Sequence, residues 1–320
     1  MSADNAVLVT GASGFIGRAL CDVLAASGRR VRKAVRMPAP GFPGAVAVGD
    51  IGIDTDWRAA LEGVSGVVHL AARTHVLRGT APDPLAEYRR INVSGTERLA
   101  RSAAACGVRR LVFLSSVKVN GERTTGRPCT EGDTPRPEDA YGVSKWEAEQ
   151  ALSRIAAGTG LEVVVLRPPL VYGPGVKGNF LRLMNLVARG VPLPLGAVDN
   201  RRSFIYTGNL AGAIVKALDA PQAADKTYLV SDGEDVSTPD LVRALARALG
   251  VKPRLLSLPL AALSLGATLA GKRAEFARLT GSLQVDSSRI RQELGWEPRF
   301  SLTQGLTETA RWHRGGSGRP

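Results

Sequence analysis

Residues 6–17 read AVLVTGASGFIG, an apolar run followed at once by a glycine-rich turn and the start of a helix. Glycines at positions 11, 14 and 17 allow a tight turn, close approach of a pyrophosphate and close packing of helix on strand. The N-terminus of such a helix offers free N–H groups and the positive end of its dipole to phosphates. The spacing is GxxGxxG, and it predicts a dinucleotide-binding turn. The predicted binding residues of this turn are Gly11, Ser13, Gly14, Phe15, Ile16 and Gly17.

Short runs bounded by turn signals alternate with helical patterns further along the chain. These runs predict buried strands. They occupy Arg30–Val35, Val46–Val48, Gly66–Ala72, Leu111–Ser116 and Leu161–Arg167. Strands that alternate with helices at this pitch predict an α/β fold, a Rossmann-type doubly wound parallel sheet.

The alternation loosens after residue 167, where prolines and the turn YGPG at 172–175 follow. We expect a smaller C-terminal substrate-binding lobe packed over the strand ends, where ligands bind in such folds. The predicted division is a dinucleotide-binding domain at 1–167, with later segments returning at about 201–220. The lobe would comprise mainly residues 168–312, and a tail 313–320.

The end of the second predicted strand decides the choice of dinucleotide. An acidic residue there binds the ribose 2′-hydroxyl of NAD, whereas an arginine accommodates the 2′-phosphate of NADP. Arg36, with Arg32 or Lys33, therefore favours NADP(H), with NAD(H) as the alternative cofactor. A solvated basic edge is the competing interpretation. The other predicted cofactor contacts are Asp50, Ile51, Leu70, Ala71, Ala72 and Pro168.

Tyr141 and Lys145 stand four residues apart in AYGVSKWEAE, a stretch that predicts a helix. Side chains at this spacing lie one above the other on one helix face. A phenol has an ordinary pKa of about 10, and an ammonium group beside it stabilises the phenolate and lowers that pKa. The pair is predicted to move a proton on and off a hydroxyl or carbonyl oxygen. The alternative is an amphipathic helix with a half-exposed tyrosine and a solvated lysine.

The chain of 320 residues has a formal net charge of +13 and a pI near 10.3. Such a surface attracts anions, which include nucleic acid, membrane headgroups and phosphorylated small molecules. No zinc-ligand spacing, basic arm or aromatic RNA-binding pattern accompanies the basic residues, so nucleic-acid binding is disfavoured. The three histidines form no metal-ligand spacing, and no metal site is predicted.

Three widely spaced cysteines and the N-terminus MSADNAVLVT, which lacks the features of a signal peptide, predict a cytoplasmic protein. The most hydrophobic stretch, Leu255–Gly271, is shorter than a bilayer span and is interrupted by Ser257, Pro259 and Ser264. We interpret it as a buried or groove-lining helix, and we predict no integral membrane segment.

Six motifs stand in matching strand and helix context: TGASGFIG at 10–17, HLAA at 69–72, LSS at 114–116, YGVSK at 141–145, RPPLVYGPG at 167–175 and RRSFIYTGNLA at 201–211. Together they resemble the extended short-chain dehydrogenase/reductases, the NAD-dependent epimerase/dehydratase family of nucleotide-sugar enzymes. The resemblance covers roughly residues 6 to 300.

This resemblance implies the catalytic residues Ser116, Tyr141 and Lys145. Ser116 would hydrogen-bond the substrate oxygen on which charge develops. Tyr141 would exchange the proton, and Lys145 would hold the nicotinamide ribose while lowering the tyrosine pKa. Ser115 is interpreted as a structural neighbour of Ser116.

Departures from the family pattern narrow the expected reaction. The family's dehydratases have Asp-Glu directly after the catalytic hydroxyl, where this chain has Val117 and Lys118. Its 4-epimerases usually have an acidic residue at the position of Arg36, a tyrosine at that of Asn120 and an asparagine at that of Leu170. Dehydration is therefore disfavoured, and a literal 4-epimerase assignment is weakened.

The stretches KVNGE at 118–122, YGVSKWEAEQAL at 141–152, RPPLVYGPGVKGNFLRLM at 167–184, PLPLGAV at 192–198 and VSDGEDVSTP at 230–239 resemble a narrower group. These are bacterial reductases of UDP-4-keto-6-deoxy-N-acetylhexosamines, which form UDP-N-acetylquinovosamine for surface polysaccharides. The leading hypothesis is reduction of a C4 ketone, with hydride from NADPH. The first alternative is a UDP-glucose or UDP-N-acetylglucosamine 4-epimerase. The second is an NADP-sensing regulator without catalysis.

The resemblance also implies a nucleotide-diphosphate site. Arg202 matches the family arginine that clamps the diphosphate, for which a planar bidentate donor is suited. Asn179 and Arg278 are the expected uridine or phosphate contacts, and Ser116 and Lys118 complete the predicted substrate site. A homodimer would pack the helices at 84–106 and 141–157 into a four-helix bundle. The sequence leaves the sugar and the product stereochemistry open.

Overall fold

The computed structural model describes residues 6–38, 41–74, 83–269, 271 and 273–317, so residues 318–320 of the predicted tail lie outside it. Its strands are β1 Ala6–Thr10, β2 Val31–Val35, β3 Val46–Ala47, β4 Val64–His69, β5 Arg110–Leu114, β6 Glu162–Arg167, β7 Leu170–Tyr172, β8 Phe204–Tyr206 and β9 Thr227–Leu229. Seven of them form one parallel sheet in the order β3-β2-β1-β4-β5-β6-β9. The prediction of a doubly wound parallel sheet is confirmed.

The α-helices are α1 Phe15–Ala26, α2 Arg58–Leu61, α3 Pro84–Tyr88, α4 Thr96–Ala105, α5 Ala140–Gly158, α6 Gly178–Ala188, α7 Thr207–Asp219, α8 Thr238–Leu249, α9 Leu260–Leu269, α10 Arg273–Thr280, α11 Ser288–Leu294 and α12 Leu302–Trp312. A π-helical turn, Arg89–Gly95, joins α3 to α4 without a break. The helix expected over Pro84–Cys106 is therefore present, but it is wider in its middle.

Two apolar layers enclose the sheet. On one face, α1 and α7 pack together over the strands, with Leu20, Leu210 and Ile214 fully buried between them. On the other face α4 and α5 bury Leu99 and Leu152 against the same sheet. Strands with no face left to solvent need apolar residues on both sides, which is why the runs read as continuously hydrophobic.

The register of the sheet brings the carboxyl ends of its central strands to one edge. Thr10 at the end of β1 is opposite His69 at the end of β4, and Leu114 of β5 is opposite Leu166 of β6. The residues that follow these strands therefore meet in one crevice, the position at which such sheets bind ligands.

The second lobe has its own core. Strands β7 and β8 pair in parallel, and α6, α8 and α12 cover them. Tyr172, Met184, Leu245 and Leu306 are buried there. Strand β9 belongs to the main sheet and pairs with β6. The sequence analysis did not assign this strand, because three residues carry too little periodicity.

The bounds of the fourth strand and the burial of one apolar stretch differ from the sequence predictions. The fourth strand begins at Val64 and ends at His69, so residues 70–74 form a loop beyond the sheet.

The apolar stretch around α9 is not buried, since Leu265 and Leu269 have 63% and 82% of their surface exposed. The interpretation of Leu255–Gly271 as a buried or groove-lining helix was wrong. Within the described residues, no helix is both long and apolar enough to cross a membrane.

Candidate active site at the strand ends

The glycine-rich turn after β1 has the geometry of a phosphate cradle. Gly11 has φ +67°, and a Cβ atom there would lie 2.9 Å from the backbone nitrogen of Ala71. A Cβ atom on Gly17 would lie 2.2 Å from the carbonyl oxygen of Gly11. Both positions therefore accept glycine alone, and the backbone of the turn lies directly against the loop that follows β4.

The N-terminus of α1 is open to an anion. Gly14 caps the helix, no side chain among the described residues accepts a hydrogen bond from its first turn, and Ser13 and Gly14 are exposed. Phe15 and Ile16 form the first helical turn and are half-buried. Uncapped N–H groups at a helix N-terminus bind phosphate. The geometry of the cradle thus suits the pyrophosphate of a dinucleotide, and the binding of one by these residues stays a prediction.

The predicted adenosine end of this site is exposed. Arg36 follows β2, and its Nε lies 3.0 Å from Oδ1 of Asp50, with 73% of each side chain exposed. Beside them is a cleft of about 350 Å³, lined by residues 48–50, 52–56 and Arg90. Ile51 lies at its edge, half-buried. An exposed ion pair of this kind is weak, so Arg36 can exchange its partner for a ligand phosphate.

The three residues after β4, Leu70, Ala71 and Ala72, are half-buried and line the other wall of the crevice. Thr10 fixes them, because its Oγ1 accepts a hydrogen bond from the backbone nitrogen of Ala71 at 3.2 Å. Pro168 closes the crevice at the end of β6, where its carbonyl oxygen accepts a 2.9 Å hydrogen bond from the nitrogen of Val117.

Ser116 and Tyr141 stand at the ends of neighbouring elements. Ser116 caps a short 3₁₀ turn, Val117–Val119, and its Oγ accepts a 3.2 Å hydrogen bond from the backbone nitrogen of Lys118. Tyr141 lies in the first turn of α5, which is capped by the carboxylate of Asp139. The Tyr141 ring meets that of Tyr88 edge to face, with centroids 6.0 Å apart.

The pKa of Tyr141 is shifted opposite to the prediction from the sequence. Burial raises the pKa of the phenol above its ordinary value, and the carboxylate of Asp139 adds to the rise. In the chain alone the tyrosine is therefore a protonated donor at neutral pH. The helical spacing to Lys145 was predicted correctly, but desolvation by the surrounding protein raises the pKa of Tyr141, and Lys145 does not offset this rise.

Lys145 points into the protein instead of into solvent. Its Nζ donates a 2.8 Å hydrogen bond to the carbonyl oxygen of Leu114 and lies 4.4 Å from the ring centroid of Phe113. Burial lowers the pKa of Lys145 to about 7, and the carboxylate of Glu149 partly opposes the shift. The alternative of a solvated lysine is excluded by this position. Its contact with the nicotinamide ribose stays a prediction.

Glu149 of α5 and Arg167 of β6 form a buried ion pair. The Arg167 guanidinium binds the Glu149 carboxylate through Nε at 3.0 Å and Nη2 at 2.5 Å, and both side chains are 4% exposed. Ser115 donates a hydrogen bond to the same carboxylate, and Asn120 accepts one from Arg167. Ser115 thus binds a structural partner and not the crevice. This arrangement fixes the end of β5, next to Ser116, against the helix that carries Tyr141.

Asn92 is a positioning residue that the sequence analysis missed. It is buried in the π-helical turn, where its Oδ1 accepts from the Arg73 nitrogen at 2.8 Å and its Nδ2 donates to the Arg73 carbonyl and to Ser144. Ser144 in turn donates to the carbonyl of Tyr141. Asn92 therefore ties the loop after β4 to the first turn of α5. The sequence signal for this role is an asparagine on the apolar face of a long predicted helix.

His69 is buried at the same edge but does not titrate near neutrality. Its ring nitrogens are hydrogen-bonded to Thr10 at 2.7 Å and Thr96 at 2.9 Å. Burial, with the nearby Lys145 charge, lowers its pKa to about 3. It is a neutral structural residue. Among the described residues, no group of acidic, histidine or cysteine side chains forms a metal site.

Three of the predicted substrate residues gather around Glu122. Lys118 donates to Oε1 of Glu122 at 2.8 Å and also to Asp139. Nε of Arg278 lies 3.4 Å from Oε2 of Glu122, and Nη1 of Arg202 donates to the carbonyl oxygen of Arg278 at 2.6 Å. Burial lowers the pKa of Arg202, while the Glu122 charge opposes it.

This cationic cluster lies next to Ser116, the predicted catalytic serine, because Lys118 is two residues beyond it. Asn179, the fourth predicted contact, is exposed in the first turn of α6 and has no described hydrogen bond that joins it to the cluster.

Comparisons with known proteins agree with this geometry. Residues 7–231 match the NAD dependent epimerase/dehydratase family. The chain is 44% identical over 310 residues to the UDP-glucose 4-epimerase of Vibrio cholerae, covering 96% of this chain and 94% of that protein. It is 27% identical over 323 residues to the N-acetyl-alpha-D-glucosaminyl-diphospho-ditrans,octacis-undecaprenol 4-epimerase of Escherichia coli O157:H7, covering 97% and 95%.

Among solved structures, MoeE5 in complex with UDP-glucose and NAD is 30% identical, with a TM-score of 0.78 and coverage of 98% of this chain and 100% of that one. The family match spans well over half of the sequence and includes the phosphate cradle, Ser116, Tyr141 and Lys145. The chain belongs to the NAD-dependent epimerase/dehydratase family, whose members with UDP-sugar ligands share its fold and length.

Proposed function

We propose that the chain is a UDP-sugar 4-epimerase that works with bound NAD. The observation that supports this most is the 44% identity, over nearly the whole chain, to a UDP-glucose 4-epimerase. It favours the 4-epimerase, the first alternative of the sequence analysis, over reduction of a C4 ketone. Three features support it: the phosphate cradle after β1, the protonated Tyr141 in α5 and the cationic cluster that includes Lys118, two residues from Ser116.

In this proposal the chain's residues act on the C4 oxygen of the sugar. Tyr141 takes the proton from the C4 hydroxyl and later returns it, while Ser116 donates a hydrogen bond to that oxygen as its charge changes. Bound NAD would supply the redox chemistry, which is removal of the C4 hydride and its return to the opposite face of the sugar. Protons and electrons balance over the cycle, so no cofactor is consumed.

Lys145 has two roles in the proposal. It lies one helical turn from Tyr141, and its positive charge stabilises the phenolate, which is the form of Tyr141 that accepts the proton of the C4 hydroxyl. In the free protein burial keeps Tyr141 protonated, so the proposal requires its pKa to fall when NAD and the sugar bind. The ammonium group of Lys145 also binds the nicotinamide ribose. Both roles need the protonated lysine.

The cationic cluster is proposed to bind the diphosphate of the substrate. Arg202 and Arg278 present guanidinium groups suited to phosphate oxygens. Lys118 adds a third positive charge near Ser116, and Asn179 is retained as a proposed uridine contact. Glu122 neutralises part of this charge in the free protein, so we expect Arg278 to leave it when the diphosphate binds.

A second substrate class shares the same diphosphate. The relative from Escherichia coli O157:H7 acts on a sugar linked through diphosphate to a polyprenol. One feature of this chain favours such a substrate: α10, which carries Arg278, follows directly on the exposed apolar helix α9. The polyprenyl-linked sugar is therefore the second candidate.

The choice of cofactor stays open in one respect. Arg36 follows β2 where an acidic residue would select NAD, and its exposed pair with Asp50 leaves it able to bind a 2′-phosphate. Turnover of a 4-keto sugar with NADP(H) would indicate the reductase.

We also propose a homodimer in which α4 and α5 of the two copies pack together, and sedimentation velocity would check it. The proposed location is cytoplasmic.

The deciding experiment incubates purified protein with UDP-glucose or UDP-N-acetylglucosamine and follows the 4-epimer by NMR, with NAD in catalytic amount. We expect conversion without change in nicotinamide absorbance, and its loss in Tyr141→Phe. Stoichiometric oxidation of NADPH with UDP-4-keto-6-deoxy-N-acetylglucosamine, and no epimer, would establish the reductase instead. Tight cofactor binding without turnover of any of these substrates would support the regulator.

A further inference from the structure

The segment Leu255–Gly271 contains 17 residues without a charged side chain, and seven of them are leucine. In the structure it forms a short approach and the ten-residue helix α9. A stretch of this composition is usually buried in a core, but this one lies on the surface of the second lobe.

The exposed leucines are concentrated in this segment. Leu256, Leu258, Leu260, Leu265 and Leu269 have between 40% and 82% of their surface exposed. They are five of the eleven large apolar side chains that are exposed among the described residues. A contiguous apolar surface of this kind marks an interaction site.

The apolar surface of α9 extends around the helix. At about 100° per residue, Leu265 and Leu269 lie on one side, whereas Leu260 lies on another. Leu263, which is half-buried, faces the protein. A partner protein would cover one stripe of such a helix, but a lipid phase surrounds every side that does not face the protein.

The charges that flank the segment are all positive. Between Asp240 and Glu275 the sequence has six basic residues and no acidic one. Four of them are at the two ends of the apolar segment: Lys252, Arg254, Lys272 and Arg273. Arg254 also lies against Gly190, next to the exposed Arg189. Clusters of lysine and arginine beside an apolar element bind anionic headgroups.

The base of the segment is fixed to the lobe. Leu193 donates to the Arg254 carbonyl at 2.8 Å, and Leu256 donates to the Leu193 carbonyl at 2.9 Å. In the last turn of α10, the carbonyl oxygen of Leu279 accepts a hydrogen bond from the side chain of Asn200. The exposed leucines are thus carried by an ordered projection.

The length of α9 decides between crossing a membrane and lying in its interface. Ten residues extend for about 15 Å, and a span of the hydrocarbon core needs about 20 residues. We propose that Leu255–Gly271 is a docking element that inserts its leucines into the interface of an anionic bilayer, while its basic flanks bind the headgroups. The docking does not depend on which substrate the active site takes.

The test uses the full-length protein and sedimented vesicles. One set is made of phosphatidylglycerol and phosphatidylcholine in equal amounts, and the other of phosphatidylcholine alone. We expect the protein to pellet with the anionic vesicles and to remain largely in solution with the others. The double change Leu265→Ser/Leu269→Ser should lower the partition coefficient by about tenfold or more, because each leucine contributes a large apolar area. Both side chains are largely exposed, so the fold and melting temperature should be unchanged.

Two further variants separate the contribution of the basic flanks to vesicle binding from the effect of removing any exposed apolar side chain. Lys252→Glu/Arg254→Glu should weaken binding to anionic vesicles, whereas Ile53→Ser removes a side chain that is 66% exposed elsewhere and should not. In Leu269→Trp, the difference spectrum against the wild type should show a shift of emission to shorter wavelength on adding anionic vesicles. Equal pelleting of wild type and the leucine variant would overturn the proposal. A wild type that pellets with neither vesicle type would also overturn it. If, in addition, a dimer of the wild type dissociates in the leucine variant, the segment is a subunit interface instead.

Discussion

Arg167 at the end of β6 and Glu149 in α5 form a bidentate ion pair in the interior, one helical turn beyond Lys145. We expect Glu149→Gln to lower the free energy of unfolding by about 3–5 kcal/mol, because it leaves a buried guanidinium without its counter-charge. Urea unfolding at pH 7 measures it. The double change Glu149→Leu/Arg167→Met should lose less than either single change, since it removes both charges.

The matched control lies on the same helix. Glu147 pairs with Arg89, whose side chain is half exposed. Glu147→Gln should leave the urea midpoint almost unchanged, since solvent screens such a pair. If Glu149→Gln behaves in the same way, the ion pair is not what holds α5 to the sheet.

Neighbouring serines test the assignment of the catalytic hydroxyl. Ser116→Ala should lower kcat by about 10²–10³-fold, because it removes a donor to the developing charge on the substrate oxygen. Ser115→Ala should lower the melting temperature and change kcat little, since Ser115 binds Glu149. The measurement is epimerisation of UDP-glucose for each variant. A reversed order of effects would assign catalysis to Ser115.

The cradle and the sheet could be predicted because their signals are local. The glycines at 11 and 17 are required by backbone contacts within a few residues or with the next loop, and buried parallel strands need apolar runs. The positions of Tyr141 and Lys145 on one helix follow from their spacing in the sequence. These parts of the fold and site are fixed by short stretches.

Other features depend on what surrounds a residue in space. The pKa of Tyr141 is raised because other elements exclude water from it, which spacing does not show. Asn92 matters through partners in two distant segments. The exposure of α9 was missed because an apolar composition predicts burial without saying what covers the helix.

The lowered pKa of Lys145 has a consequence for stability. In the unfolded chain a lysine titrates at about 10.4, whereas in the fold Lys145 titrates at about 7. Between these values the unfolded state binds more protons, so this group makes stability rise with pH. The free-energy cost of burying the charge of Lys145 is therefore full below about pH 7. It disappears as the pH approaches the pKa of a lysine in the unfolded chain, about 10.4.

Lys145→Met should therefore gain stability relative to the wild type at low pH and lose that advantage as the pH rises from about 7 to 10. Thermal melts of both proteins across this range, without cofactor, measure the difference. Lys118→Met is the control. Burial lowers the pKa of Lys118, but its hydrogen bonds to Asp139 and Glu122 outweigh this and raise it. Its stability difference should be constant over the same range, and a constant difference for Lys145→Met as well would contradict the shift.

Arg202 and Arg201 are adjacent, and only Arg202 has its guanidinium in the cationic cluster. Arg202→Lys should weaken binding of UDP by about tenfold or more, because lysine keeps the charge but loses the planar pair of donors that fits a diphosphate. Titration calorimetry with UDP measures this. Arg201→Lys carries the same chemical change on an exposed side chain and should bind UDP as the wild type does. Equal losses in both variants would point to the general positive charge of the lobe, and no loss in either would place the diphosphate elsewhere in the crevice.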